Sequence, residues 1–153
     1  MLSNKSFGNA ALTGISGGAT TYSLSAIPFE ISGKAYTKAL VSGGATPTTD
    51  AKTSSAITLL ANQGCVVVWA LDTSGNVKCY SSAAQPLDTA GNFVVAPDFA
   101  GLPDTVAPFA YTVHKAGSTL SGTFTFGSTN WNTTGMTNTA VSVMELPTRP
   151  QVS

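Results

Sequence analysis

The chain has 153 residues, enough to bury a hydrophobic core without disulfides or a structural metal. Only 9% of them are charged, seven positive and seven negative, for a formal net charge of zero, while 42% are apolar. This balance argues against nucleic acid as a partner, because phosphate neutralisation needs clustered Lys or Arg and the nearest approach to a cluster is Lys34 with Lys38.

Residues 1–21, rich in Gly, Ser, Ala and Thr with little periodicity, read as an extended N-terminal arm that orders against a partner. Tyr22, Leu24 and Ala26 alternate as in a strand, and Pro28 interrupts. Phe29-Glu30-Ile31 and Ala35-Tyr36-Thr37 then flank a tight turn at Gly33. Val41 to Lys52 reads as loop, and Ala56 to Leu60 as one helical turn or a strand, the strand being favoured. The run Cys65 to Leu71 is β-branched and aromatic at successive positions, the signature of a central strand covered on both faces.

Asp72-Thr73-Ser74-Gly75-Asn76 supplies a turn, and Val77 to Tyr80 returns. Leu71-Asp72-Thr73-Ser74-Gly75-Asn76-Val77 is echoed by Leu87-Asp88-Thr89-Ala90-Gly91-Asn92-Phe93, one turn used twice. A calcium loop would need alternating acidic ligands and a closing Glu, which neither copy has. Asn92 to Ala96 reads as a strand ending at Pro97, and Pro103 and Pro108 hold an irregular connection. Phe109, Tyr111 and Val113 alternate with Ala110, Thr112 and His114, and Leu120, Gly122, Phe124 and Phe126 alternate with hydroxyl residues. A last strand is expected from Asn138 to Leu146, and residues 147–153 form an extended tail.

About eight short strands with regular turn signals predict an all-β, two-sheet antiparallel β-sandwich over residues 22–146, a jelly roll being one form of it.

Few residues of the chain fall in patterns that carry chemistry. Cys65 and Cys79 share a face of the predicted hairpin, with Cys79 opposite Trp69, and lie several strand steps apart. That exceeds the roughly 7 Å Cα limit of a disulfide, so both are expected as buried free thiols in a reducing compartment. Gly14-Ile15-Ser16-Gly17-Gly18 matches the nucleophile-elbow pattern without the strand and helix that make it work. A hydrolase would have to join His114, the sole histidine, with Ser16 and a loop aspartate, yet His114 is expected exposed or at an edge. One histidine and two separated cysteines do not form a zinc set. Trp131, between Asn130 and Asn132, is expected to cap the sandwich edge rather than bind a ligand. No catalytic, metal or cofactor-binding residue is therefore expected, and no cofactor. No run of roughly eighteen apolar residues occurs, and Met1-Leu2-Ser3-Asn4-Lys5 opens no signal-like core, so no membrane partner is expected and synthesis in a cytoplasm is.

The hairpin Cys65 to Tyr80, the block Phe124-Thr125-Phe126-Gly127-Ser128-Thr129-Asn130-Trp131-Asn132 and the ending Leu146-Pro147-Thr148-Arg149-Pro150 resemble small virion structural proteins of tailed bacteriophages, above all capsid decoration (cement) proteins. The resemblance implies a sandwich or jelly-roll subunit, a homo-oligomer (dimer or trimer), on the capsid exterior and clamping the major capsid protein. Low charge independently suits a chain resident in an assembly. The arm and the tail are the expected inter-subunit contacts. A tail-fibre or head-fibre module binding a host surface glycan is the alternative, for which Trp131 is the sequence hint.

Overall fold

The computed structural model describes residues 4–152, and none of these is helical. The strands are β1 (Lys5–Ser6), β2 (Thr21–Leu24), β3 (Ile27–Ile31), β4 (Lys34–Lys38), β5 (Val41–Ala45), β6 (Thr58–Leu59), β7 (Gln63–Asp72), β8 (Val77–Ser81), β9 (Gln85–Pro86), β10 (Val106–Ala116), β11 (Phe124–Thr125) and β12 (Met136–Ser142). Every pairing between them is antiparallel. One layer is a five-stranded sheet ordered β12-β10-β7-β8, with β9 also on β7. Packed against it is a layer assembled from three small sheets, β1-β3-β4, β2-β5 and β6-β11.

Strand β7 explains this arrangement. Its odd residues Cys65, Val67, Trp69 and Leu71 meet Tyr22, Leu24, Phe29, Leu59 and Phe124 in the main core. Its even residues Val66, Val68 and Ala70 join Tyr80, Tyr111 and Val113 on the opposite face. That face is covered by Phe99 and Leu102 from the connection before β10 and by Leu146 and Val152 from the tail. Each fully buried Val or Leu contributes about 1.5–3 kcal/mol, so a strand apolar on both faces is stable only with both covers in place.

The two similar segments fold alike. Asp72 Oδ1 accepts the N–H groups of Ser74 and Asn76, and Asp88 Oδ1 accepts those of Ala90 and Asn92, all at 2.8–2.9 Å. Gly75 (φ 76°) and Gly91 (φ 81°) hold the left-handed position that lets the chain reverse. Burial pushes the Asp72 carboxyl up, but the hydrogen bonds from Asn76 and Ser74 outweigh it and leave it below its ordinary value. The Asn92 N–H does the same for Asp88.

Several expectations need correction. Residues 1–3 lie outside the described part, but from Lys5 onward the expected arm belongs to the sandwich: β1 pairs with β3, and Ala10, Leu12 and Ile15 are buried in the main core. Sparse apolar residues without periodicity still anchor a segment when each lands in a gap between sheets. Pro28 lies inside β3, with its side chain exposed, rather than ending a strand. Val41–Ala45 is a strand, not loop, paired with β2. Asn92 to Ala96 forms only one bridge, Leu87 to Phe93, and Val94 and Val95 face outward. In the stretch Leu120 to Phe126 the apolar side chains do turn inward, yet only Phe124–Thr125 pairs as strand. The last strand runs Met136–Ser142, two residues earlier than expected at its start and four at its end.

Pro108 also lies inside a strand. The register of β10 on β7 slips between Pro108 and Ala110, a bulge suited to a residue without an N–H. The slip changes the phase: Ala107, Phe109 and Ala110 all enter the main core, and thereafter the even residues face it. Phe109 therefore does not share a face with Tyr111 and Val113, and Thr112 and His114 turn inward.

Candidate functional site

His114 is fully buried, contrary to the expectation of an exposed or edge position. Its Nε2 lies 2.6 Å from Thr112 Oγ1 and its Nδ1 lies 2.7 Å from Asn138 Oδ1. Trp69 Nε1 donates to Thr112 Oγ1 at 3.0 Å, and Asn138 Nδ2 donates to the Trp131 carbonyl at 2.6 Å. These contacts determine the proton positions. Asn138 must present its oxygen to the ring, because its nitrogen is needed for the carbonyl, so Nδ1 carries the proton and Nε2 accepts from the Thr112 hydroxyl. Burial drives the imidazole down to about 4, against the opposing hydrogen bond to Asn138, so the ring is neutral at pH 7.

Aromatic rings enclose this chain of hydrogen bonds. Trp131 stacks on His114 with centroids 5.7 Å apart and an interplanar angle of 22°, and Phe126 meets the same ring edge-on at 5.2 Å. Trp131 itself is 1% exposed, and its Nε1 donates to the Thr21 carbonyl at 3.1 Å. It is thus a structural residue of the main core rather than a cap on the sandwich edge, and is not available to stack on a sugar. The centre locks β10, β12, β7 and the loop after β11 together.

The hydrolase arrangement does not form. Both His114 ring nitrogens are engaged by Thr112 and Asn138, and Ser16 stands exposed in a turn with no regular strand or helix beside it. Cys65 and Cys79 are buried free thiols, and Cys79 pairs with Trp69 across the hairpin as expected. Burial pushes the Cys65 thiol up to about 12 and raises that of Cys79 well above its ordinary value, which makes both poor nucleophiles. Among the described residues no three His, Cys, Asp or Glu side chains gather as a metal set.

Asp50, passed over in the sequence as loop, is the buried carboxylate. Its Oδ1 accepts from the N–H groups of Lys52 and Thr53, and its Oδ2 accepts from that of Ser81 at 2.6 Å. With the bond from Ala51 N–H to the Cys79 carbonyl, this fastens the loop after β5 along the outer edge of β8. A hollow of about 330 Å³ beside it is lined by Thr53, Thr58, Cys65, Ser81 and Ser82. The Asp-x-x-Thr spacing of Asp50 and Thr53 was the available signal, since a short acidic side chain readily accepts from N–H groups two and three residues on. Its long-range bond to Ser81 had none.

Phe7, Leu40, Val94, Val95 and Met144 are each about half or more exposed, in loops and strand ends at several places around the sandwich. No protein-family model matches the chain, and neither the curated proteins nor the solved structures contain a match.

Proposed function

We propose that the chain is a decoration subunit of a phage capsid, bound to the outside of the head, where it stabilises contacts between major capsid subunits. The observation that carries this reading is the surface: exposed Leu40 (67%), Val94 (63%), Met144 (57%) and Val95 (55%) on a chain with only 9% charged residues. Exposed apolar side chains among neutral hydroxyl groups bury against a partner without the desolvation that charges demand. Many copies on a lattice turn weak contacts into avid binding. The resemblance of the hairpin and the C-terminal block to such proteins agrees.

A rigid body also suits the role. Residues 4–21 support the fold through Ala10, Leu12 and Ile15, so the contact function moves from a free arm to outward side chains such as Phe7. The glycan-binding alternative loses its hint with the burial of Trp131.

Cosedimentation with empty capsids of the source phage tests the proposal. The intact chain is expected to bind saturably at a fixed ratio to the capsid subunits, and a Val94→Ser, Val95→Ser double variant or Leu40→Ser to bind more weakly. Absence of binding by the intact chain would refute it.

A further inference from the structure

We infer that β12 is a pairing edge, along which a second copy of this chain adds antiparallel to form a two-fold dimer with a continuous ten-stranded sheet. The inference does not depend on the capsid reading.

The hydrogen-bond phase of β12 is set at both ends. Val143 N–H donates to the Phe109 carbonyl at 3.0 Å, and Gly117 N–H donates to that of Gly135 at 2.8 Å. With the register Tyr111↔Val141, Val113↔Thr139 and Lys115↔Thr137, the odd residues of β12 exchange bonds with β10. The N–H and C=O groups of Asn138 and Ala140 therefore point away from the sheet, where no strand among the described residues pairs with them. Exposed edges of this kind invite another strand.

Other edge strands of comparable length are protected. β4 carries Lys34 and Lys38 at its two ends. β5 is distorted, with Gly43 at φ 65° and a register slip in its pairing with β2. The outer edge of β8 is closed by Ala51 and Asp50. The N-terminal segment reaches only the C-terminal end of β12, where Ser6 N–H donates to the Met144 carbonyl and Leu12 N–H to Ser142 Oγ; before that end, Met136-Thr137-Asn138-Thr139-Ala140-Val141 contains no charge, proline or glycine.

The same neutrality selects the occupant. A two-fold axis sets each residue of the edge against this same strand, so a charged edge would face its own charge. Here Thr, Ala and Val meet Thr, Ala and Val, the cross-strand pairs that favour sheet formation. Thr137 and Thr139 are exposed and stand ready for such pairs, while Asn138 and Ala140 face inward toward the His114 layer.

Sedimentation velocity of the full chain, from low micromolar to millimolar concentration, reads this directly. The expected result is a reversible monomer–dimer equilibrium. Thr139→Lys, which sets two ammonium groups close to the axis from an exposed position, weakens it by about tenfold or more with an unchanged circular dichroism spectrum. Ala140→Pro removes one outward N–H and none of the bonds to β10, and abolishes dimerisation. Should that variant not fold, amide exchange of Asn138 and Ala140 in the intact chain decides: protection that rises with protein concentration supports the edge, and fast exchange at every concentration overturns it. A chain monomeric throughout, or a dimer of undiminished strength in Thr139→Lys, also overturns it. Capsid binding by a strictly monomeric chain would leave the functional proposal standing and this one refuted.

Discussion

With its single proton on Nδ1, the His114 ring completes a run of hydrogen bonds from Trp69 through Thr112 to Asn138. A second proton, on Nε2, would displace the Thr112 hydroxyl hydrogen from its acceptor and leave a charge among Phe124, Phe126 and Trp131. Unfolded, the ring titrates at its ordinary 6.5; folded, it titrates at about 4. Between those values the unfolded chain takes up a proton that the folded chain refuses. Stability therefore falls as pH drops from 6.5 to 4, by about 3 kcal/mol, and this contribution is constant above and below that window. Urea titrations at pH 7, 5.5 and 4 check it, and His114→Phe is expected to remove most of the slope between them. Trp131→Ala should cost about 3–5 kcal/mol, the range for a large buried ring, read by the same unfolding curves at pH 7. The thiols of Cys65 and Cys79 should react with a disulfide reagent only after denaturation.

Among the elements, the loop after β5 depends on one side chain. Asp50→Ala leaves the N–H groups of Lys52, Thr53 and Ser81 without their acceptor. The expected cost is about 2–3 kcal/mol, with faster amide exchange at Ser81 and through residues 50–55 while β7 and β10 remain protected. The β7–β8 hairpin was legible in advance because its turn chemistry and its strand pattern agree. The β10 pattern was misleading for a definite reason. Period-two reading assumes an unbroken ladder, and one extra residue beside Pro108 moves every later side chain to the other face. That slip is what carried His114 from a supposed surface into the core.

For the whole molecule, the N-terminal segment decides whether the sandwich closes. Removing residues 1–21 takes away β1 and the buried Ala10, Leu12 and Ile15, together with the hydrogen bond from Leu12 N–H to Ser142 Oγ. The shortened chain is expected to lose its cooperative thermal transition. Near-ultraviolet circular dichroism, reporting the packing of Trp69 and Trp131, should collapse with it. A shortened chain that keeps both signals would mean that the segment is an accessory after all.

By itself, the sequence determined the all-β class, the β7–β8 hairpin with its twin turn and the burial of both cysteines. Each rests on neighbours within a few residues: alternation, β-branching, an Asp accepting from the N–H groups that follow it. Tertiary structure alone decided that residues 5–15 belong to the core, that Val41–Ala45 is a strand, and that Asp50 reaches Ser81. It also decided that Asn138 meets His114. These are contacts between segments 17 to more than 130 residues apart, made because two facing sheets leave particular gaps and unsatisfied groups, and no local pattern records which distant side chain will fill them.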